Sequence, residues 1–186
     1  MGRGIGVYDA VVVGARCTGS PTAMAFAREG YSVLLLDRVT FPSDTPSTHI
    51  VNRPRVERLD RWGPSDAVLD SGCPPIGRFS SHYGVVPLTG DTPPTDGIPM
   101  IVPRRAAFDD LLVGAAVEVG AEPRESFVVR ELPTEGDRVV GIGGRTRGGA
   151  SDSDWCDCVP VRSPDIGRSI PERLATTTMR PSAPGR

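Results

Sequence analysis

No lysine occurs anywhere in the 186 residues, so all 21 cationic side chains are arginine. A lysine base or a Schiff base is therefore excluded. Aromatics make up only 5% of the chain, and histidine is limited to His49 and His82, neither with an acid placed to orient it as a general base. The four cysteines, Cys17, Cys73, Cys156 and Cys158, do not follow zinc-ligand spacing, and the chain is not a small disulfide scaffold. Reduced thiols in a cytoplasmic protein are the expected state. No Ser–His–Asp arrangement and no metal-ligating cluster stands out, so no metal site is expected. No apolar run approaches the roughly 20 residues of a membrane helix, and the run at 10–13 is too short for a secretory signal. A formal charge of −2 argues for neither nucleic acid nor an anionic membrane as partner, and no nucleic-acid partner is expected.

What remains is a composition that is 38% hydrophobic, enough for the core of one ordinary domain, with 22 glycines and 19 prolines that predict abundant loops. Residues 8–13 read as a buried strand and 17–29 as a helix, with Pro21 tolerated in its first turn and Gly30 as its stop. Val33 to Leu36 form a second strand. Phe41 to His49 is a proline-bearing loop. A short helix spans 53–62 with Trp62 in the core, and 64–75 is turn-rich. Short strands at 76–88 and 98–102 flank a loop at 91–97. The apolar stripe Phe108, Leu111, Leu112, Ala115, Ala116 and Val119 predicts a helix over 105–119. A strand at 121–124 and a hairpin built from 127–132 and 138–142 follow. From 148 to 186 no apolar period is sustained, which reads as an irregular or disordered tail. The expected fold is α/β: a Rossmann-like parallel sheet with partial antiparallel segments, in one domain over 1–147.

The chemistry-bearing stretch is Tyr8-Asp-Ala-Val-Val-Val-Gly14-Ala-Arg16-Cys-Thr-Gly19, followed by Leu34-Leu-Leu-Asp37. A strand enters a glycine turn, a helix follows, and the next strand ends in an acid. That layout is a dinucleotide-binding βαβ unit: the turn aims helix N–H groups at a pyrophosphate, and the acid meets a ribose hydroxyl. Gly14 takes the first glycine position and Gly19 the third. Arg16 replaces the second, where its guanidinium is positioned to pair with phosphate. Asp37, with Arg38 beside it, faces the adenosine ribose. Two other readings share the unit: a βαβ with no nucleotide, and a nicotinamide-only dehydrogenase, which would continue with further βα repeats. Arg104 and Arg105 at a helix start oppose the macrodipole preference for anions there and hint at a phosphate partner.

The stretch "YDAVVVGARCTGSPTAMAFAREGYSVLLLDRVTFPSDTPSTH" resembles the N-terminus of FAD-dependent oxidoreductases of the p-hydroxybenzoate-hydroxylase-like and geranylgeranyl-reductase-like group. So does Pro103-Arg-Arg105-Ala-Ala-Phe-Asp109-Asp-Leu-Leu112, and the likeness runs over about residues 7–147. The resemblance implies an FAD-binding protein, monooxygenase- or reductase-like, fed by NADH or NADPH and acting on a small-molecule substrate. It implies that Arg105 contacts the cofactor, that the loop carrying His49 approaches the flavin end, and that the Val129 backbone meets the adenine; Ser47 and Thr48 in that loop read either as cofactor hydrogen-bonding partners or, the commoner use, as loop caps. Relatives of this group run to about twice this length. Their Gly-Asp-Gly segment after the hairpin and a later Gly-Asp motif have no counterpart here, so a catalytically inactive remnant is a competing expectation. Residues from about 148 onward are expected to be out of the ancestral frame or to come from a disrupted gene. Sequencing the coding DNA checks this: one of the other two frames should encode an apolar strand followed by Gly-Ala-Asp-Gly-like residues, and finding neither refutes it.

Overall fold

β3 (Val33–Leu36) is four consecutive aliphatic residues with no polar face, so it forms only where both sides of a sheet are covered. A computed structural model of the chain, which describes residues 4–46, 50–147 and 154–158, places it at the centre of the molecule. β3 pairs in parallel with β2 (Ala10–Val13) on one side and with β6 (Ala121–Arg124) on the other. Each strand is reached through a helix: α1 (Gly19–Arg28) after β2, and α4 (Arg105–Glu118) before β6. Val33 and Leu35 face these helices, packing with Ala23, Met24, Val113 and Ala116. Leu34 and Leu36 face the opposite way, onto Tyr8, Phe127 and Ile142.

That second face is covered by a mixed sheet of order β1-β11-β10-β7: β1 (Gly4–Tyr8), β11 (Asp154–Cys158), β10 (Gly141–Thr146) and β7 (Phe127–Glu131). Gly144 sits where a side chain would collide, since an added Cβ would lie 2.4 Å from the Val128 carbonyl oxygen and 2.5 Å from the Phe127 ring. A third cluster joins α2 (Arg53–Trp62) and α3 (Ser65–Asp70) to α4 through Val56, Leu59, Val68, Phe108 and Leu112. β4 (Arg78–Tyr83) and β5 (Val86–Asp91) form a separate two-stranded hairpin, and β8 (Thr134–Glu135) and β9 (Arg138–Val139) a smaller one.

The α/β architecture with a parallel sheet and antiparallel additions is as the sequence leads one to expect. Several boundaries differ. The expected strand 8–13 is broken at Asp9, with Tyr8 ending β1 in the mixed sheet and Ala10 opening β2 in the parallel one; Val13 is exposed rather than buried. α3 lies within the stretch read as turns. Residues 98–102 form no strand, and Ile101 makes only isolated bridges to Val51 and Pro75. The partner of β7 is β10 at 141–146, because β8 and β9 intervene. Within the segment read as an irregular tail, Asp154–Cys158 form β11, which covers the edge of β10 and runs parallel to β1. The rest of that segment, 148–153 and 159–186, lies outside the described residues.

The break at Asp9 is held by a tight exchange with the start of β3. The Asp9 carboxylate accepts from Ser32 Oγ at 2.6 Å and from Ser32 N at 2.8 Å, and its backbone N–H donates to the Ser32 carbonyl at 3.0 Å. The Ser32 hydroxyl first, and the Ser32 N–H second, hold the Asp9 carboxyl below its usual value. A carboxyl lowered in the folded state stabilises above its unfolded pKa, and that contribution disappears as pH falls through the folded value. We therefore expect Asp9→Asn to lower the melting temperature at neutral pH, by a modest amount for an exposed group. Melting curves of the two proteins should converge only as pH falls well below the usual carboxylate value of about 3.9, once the lowered wild-type carboxyl is protonated as well.

Candidate functional site

The turn between β2 and α1 is built on two glycines with different jobs. Gly14 has φ +103°, a conformation that L side chains rarely adopt. Its N–H donates to the Leu36 carbonyl at 2.7 Å, so the chain leaves β2 still hydrogen-bonded to β3. Gly19 opens α1, and a Cβ there would sit 1.6 Å from the Gly14 carbonyl oxygen. Only glycine allows that approach of helix to strand. Pro21 falls in the first turn of α1, where a missing N–H costs nothing.

Asp37, directly after β3, is buried and faces this turn. One carboxylate oxygen accepts from Ala15 N at 2.8 Å and the other from Val39 N at 3.1 Å. Its main chain is also engaged, with the N–H donating to the Arg124 carbonyl and the carbonyl accepting from Phe127 N. The acid is thus at the mouth of the glycine corner, with a structural role the sequence does not reveal. Arg38 beside it is exposed.

Arg16 finds a protein partner that its place in the motif does not reveal. It occupies the second glycine position but swings away from the turn, and its Nη1 donates to Asp109 Oδ2 at 2.8 Å. The same guanidinium reaches the Ser43 carbonyl and hydroxyl at 3.4 and 3.3 Å and lies over the Phe41 ring, 5.5 Å from its centroid. Arg105, the first residue of α4, grips Asp109 from one turn away, with Nη2 at 2.8 and 3.0 Å from the two carboxylate oxygens. Asp109 is fully buried, while the Arg16 and Arg105 side chains keep 26% and 14% of their exposure. The cluster therefore carries one net positive charge, held between the glycine corner, the loop 41–46 and α4. Next to it a recess of about 260 Å³ is lined by Asp44, Val102, Pro103 and Arg104.

Gly14, Gly19 and Asp37 thus come together at one corner, and Arg16 and Arg105 come together at Asp109. Val129 lies in β7 and packs against the Leu34–Phe127 cluster, on the mixed sheet. His49, with Ser47 and Thr48, lies outside the described residues. His82 is in β4, in the separate hairpin. Asp109 is the residue of this cluster that sequence reasoning underused. The available signal was its i,i+4 spacing from Arg105, whereas its bond to Arg16, 93 residues away, is invisible without the fold. Among the described residues no group of His, Cys, Asp and Glu is placed to hold a metal ion.

Replacing the Asp109 carboxylate strands two arginines. We expect Asp109→Ala to cost about 3–5 kcal/mol of folding free energy, within the range for breaking a buried ion pair, as read from urea denaturation midpoints.

Comparison with known proteins adds a family. A model of the FAD binding domain matches residues 7–152. A curated protein of Streptomyces rimosus subsp. rimosus, 12-dehydrotetracycline 5-monooxygenase/anhydrotetracycline 6-monooxygenase, is 31% identical over 135 residues, which is 72% of this chain and 26% of that protein. Among solved structures, the myxobacterial chondrochloren halogenase, a variant of FAD-dependent halogenases, superposes with a TM-score of 0.71 at 26% identity, over 82% of this chain and 36% of its own. The anhydrotetracycline hydroxylase from Streptomyces rimosus superposes with a TM-score of 0.65 at 26% identity, over 82% of this chain and 30% of its own. The chain spans about a quarter of the length of its curated relative.

Proposed function

Because this chain belongs to the FAD binding domain family, we propose that its first βαβ unit holds the adenosine diphosphate half of FAD for an oxidoreductase of the monooxygenase type. The observation that carries the reading is the Gly14–Gly19 approach. It lets α1 start directly against the end of β2, with no Cβ at either glycine, so that the positive end of the helix dipole lies beside the turn and favours an anion there. The chain's residues fit that group. Gly14 and Gly19 keep the turn open to the pyrophosphate. Asp37 orients the turn through Ala15 and offers the second lone pairs of its oxygens to ribose hydroxyls. Arg16 and Arg105 contribute the positive charge that remains after Asp109 is paired. Arg38 flanks the ribose, the Val129 backbone meets the adenine, and His49 belongs to the flavin side.

Bound FAD would supply hydride acceptance and delivery of electrons to dioxygen or to a substrate double bond. NADH or NADPH is proposed as the electron source, and a small molecule as the substrate. Similarity to an anhydrotetracycline monooxygenase and to a halogenase supports the oxidoreductase class. A cytoplasmic location is proposed on the free thiols of Cys17 and Cys73 among the described residues. No helix among the described residues is long and apolar enough to cross a membrane.

A second reading, a cofactor-binding stub without turnover, is favoured by the small share of each relative that the chain covers. Titration with FAD, followed by flavin fluorescence quenching and gel filtration, tests both. We expect reversible binding that is lost on desalting, with affinity reduced about tenfold in Asp37→Ala, the loss of roughly one good hydrogen bond. Absence of any quenching overturns the proposed function. A yellow protein that keeps stoichiometric FAD through gel filtration overturns the expected loss of FAD on desalting.

A further inference from the structure

Both peptide units that flank the Ala15 Cα are held in place by the residues around them. The unit joining Gly14 to Ala15 points its N–H at the Asp37 carboxylate, at 2.8 Å, and its carbonyl at Gly19, where no Cβ stands in the way. The unit joining Ala15 to Arg16 is fixed by Ser20, whose hydroxyl donates to the Ala15 carbonyl at 2.9 Å. Ser20 is fully buried, on the face of α1 that also buries Ala23 and Met24. A hydroxyl in such a place is costly unless it is hydrogen-bonded, and a small apolar side chain would fill the position without that demand. The hydroxyl therefore marks a need of the Ala15 carbonyl.

Among the described residues the cis peptide bond is Phe41–Pro42, so the Ala15–Arg16 unit is trans. In a trans unit the carbonyl and the N–H point in opposite directions. With its carbonyl drawn onto Ser20, the unit turns the Arg16 N–H away from the buried face of α1. That N–H has no hydrogen-bond partner among the described residues, whereas the Ser20 and Thr22 N–H groups are taken up by the Arg16 and Thr18 carbonyls at 3.0 and 3.2 Å. The Arg16 side chain is committed elsewhere, to Asp109 and Ser43. We propose that Ser20 is a positioning residue of the cofactor site: its hydroxyl sets the plane of the Ala15–Arg16 peptide so that the Arg16 N–H is presented to a phosphate oxygen of the FAD pyrophosphate. The inference rests on the reading of the glycine corner as the seat of that pyrophosphate. Without the hydroxyl the Ala15 carbonyl loses its donor, and any rotation of the peptide in search of another carries the Arg16 N–H with it. An arginine at the second motif position is then no obstacle. What the position contributes is a backbone donor, and Ser20 aims that donor whatever side chain the position carries.

FAD titrations of the whole chain test it, followed by flavin fluorescence quenching and by the Arg16 amide signal in proton–nitrogen correlation spectra. In the wild type the Arg16 amide proton should move downfield as FAD binds, as an N–H does on gaining a charged acceptor. Ser20→Ala should bind FAD about tenfold more weakly, the loss of roughly one hydrogen bond to a charged group, and its Arg16 amide should no longer move downfield. Val68→Ala opens a cavity in the separate cluster of α2, α3 and α4 and controls for lost stability; it should bind FAD as the wild type does. If Ser20→Ala does not fold, Ser20→Cys takes its place, because a thiol is a weaker donor, and it should weaken FAD binding and reduce the Arg16 shift in the same direction. A Ser20 variant that binds FAD as tightly as the wild type, or that keeps the full Arg16 shift, overturns the inference. An equal loss of affinity in Val68→Ala overturns it too, since stability alone would then explain the effect. Failure of the wild type to bind FAD at all overturns the proposed function, and the role of Ser20 falls with it.

Discussion

The structure turns on the placement of one carboxylate. Asp37 ends the most buried strand and bonds in four directions: side chain to Ala15 N and Val39 N, main chain to Arg124 and Phe127. The first bond fixes the glycine corner. The main-chain bonds fix the point where β6, in the parallel sheet, turns into β7, in the mixed sheet. A buried carboxylate without partners is costly, and here backbone N–H groups supply them. The acid that the sequence pattern assigns to a ribose is therefore also the joint between two sheets. Both roles suit one side chain, because each carboxylate oxygen has a second acceptor position.

A similar economy appears at Asp109. Two arginines converge on it, one from the corner and one from the start of α4, and Arg16 also reaches the loop 41–46. Three segments distant in sequence are drawn together by one buried charge. This explains how an arginine is tolerated where a glycine is expected: the side chain leaves the turn for a partner strong enough to hold it. It also accounts for arginines at the start of α4, an unfavourable end for cations. The acid one turn along α4 neutralises one of them.

The βαβ unit was the most legible part of the molecule, because strand, glycine turn, helix and acid are all local signals. α2 and α4 declared themselves in the same way, through apolar residues at helical spacing. What the sequence hid were pairings over long separations. The split of 8–13 between two sheets depends on Ser32. β11 has aspartates at two of its five positions and no alternating apolar pattern, so only its neighbours β1 and β10 identify it as a strand. The Arg16–Asp109 bond belongs to the same class. The motif gives Arg16 its place in the turn, while its protein partner comes from α4.

β3 gives the molecule one more property. Its four side chains alternate between two hydrophobic clusters, Val33 and Leu35 to the helical side, Leu34 and Leu36 to the mixed sheet. Neither layer has a complete interior without it. The glycine corner and the outer sheet therefore cannot melt independently: loosening either one withdraws support from the other, and these two layers share a single cooperative fate.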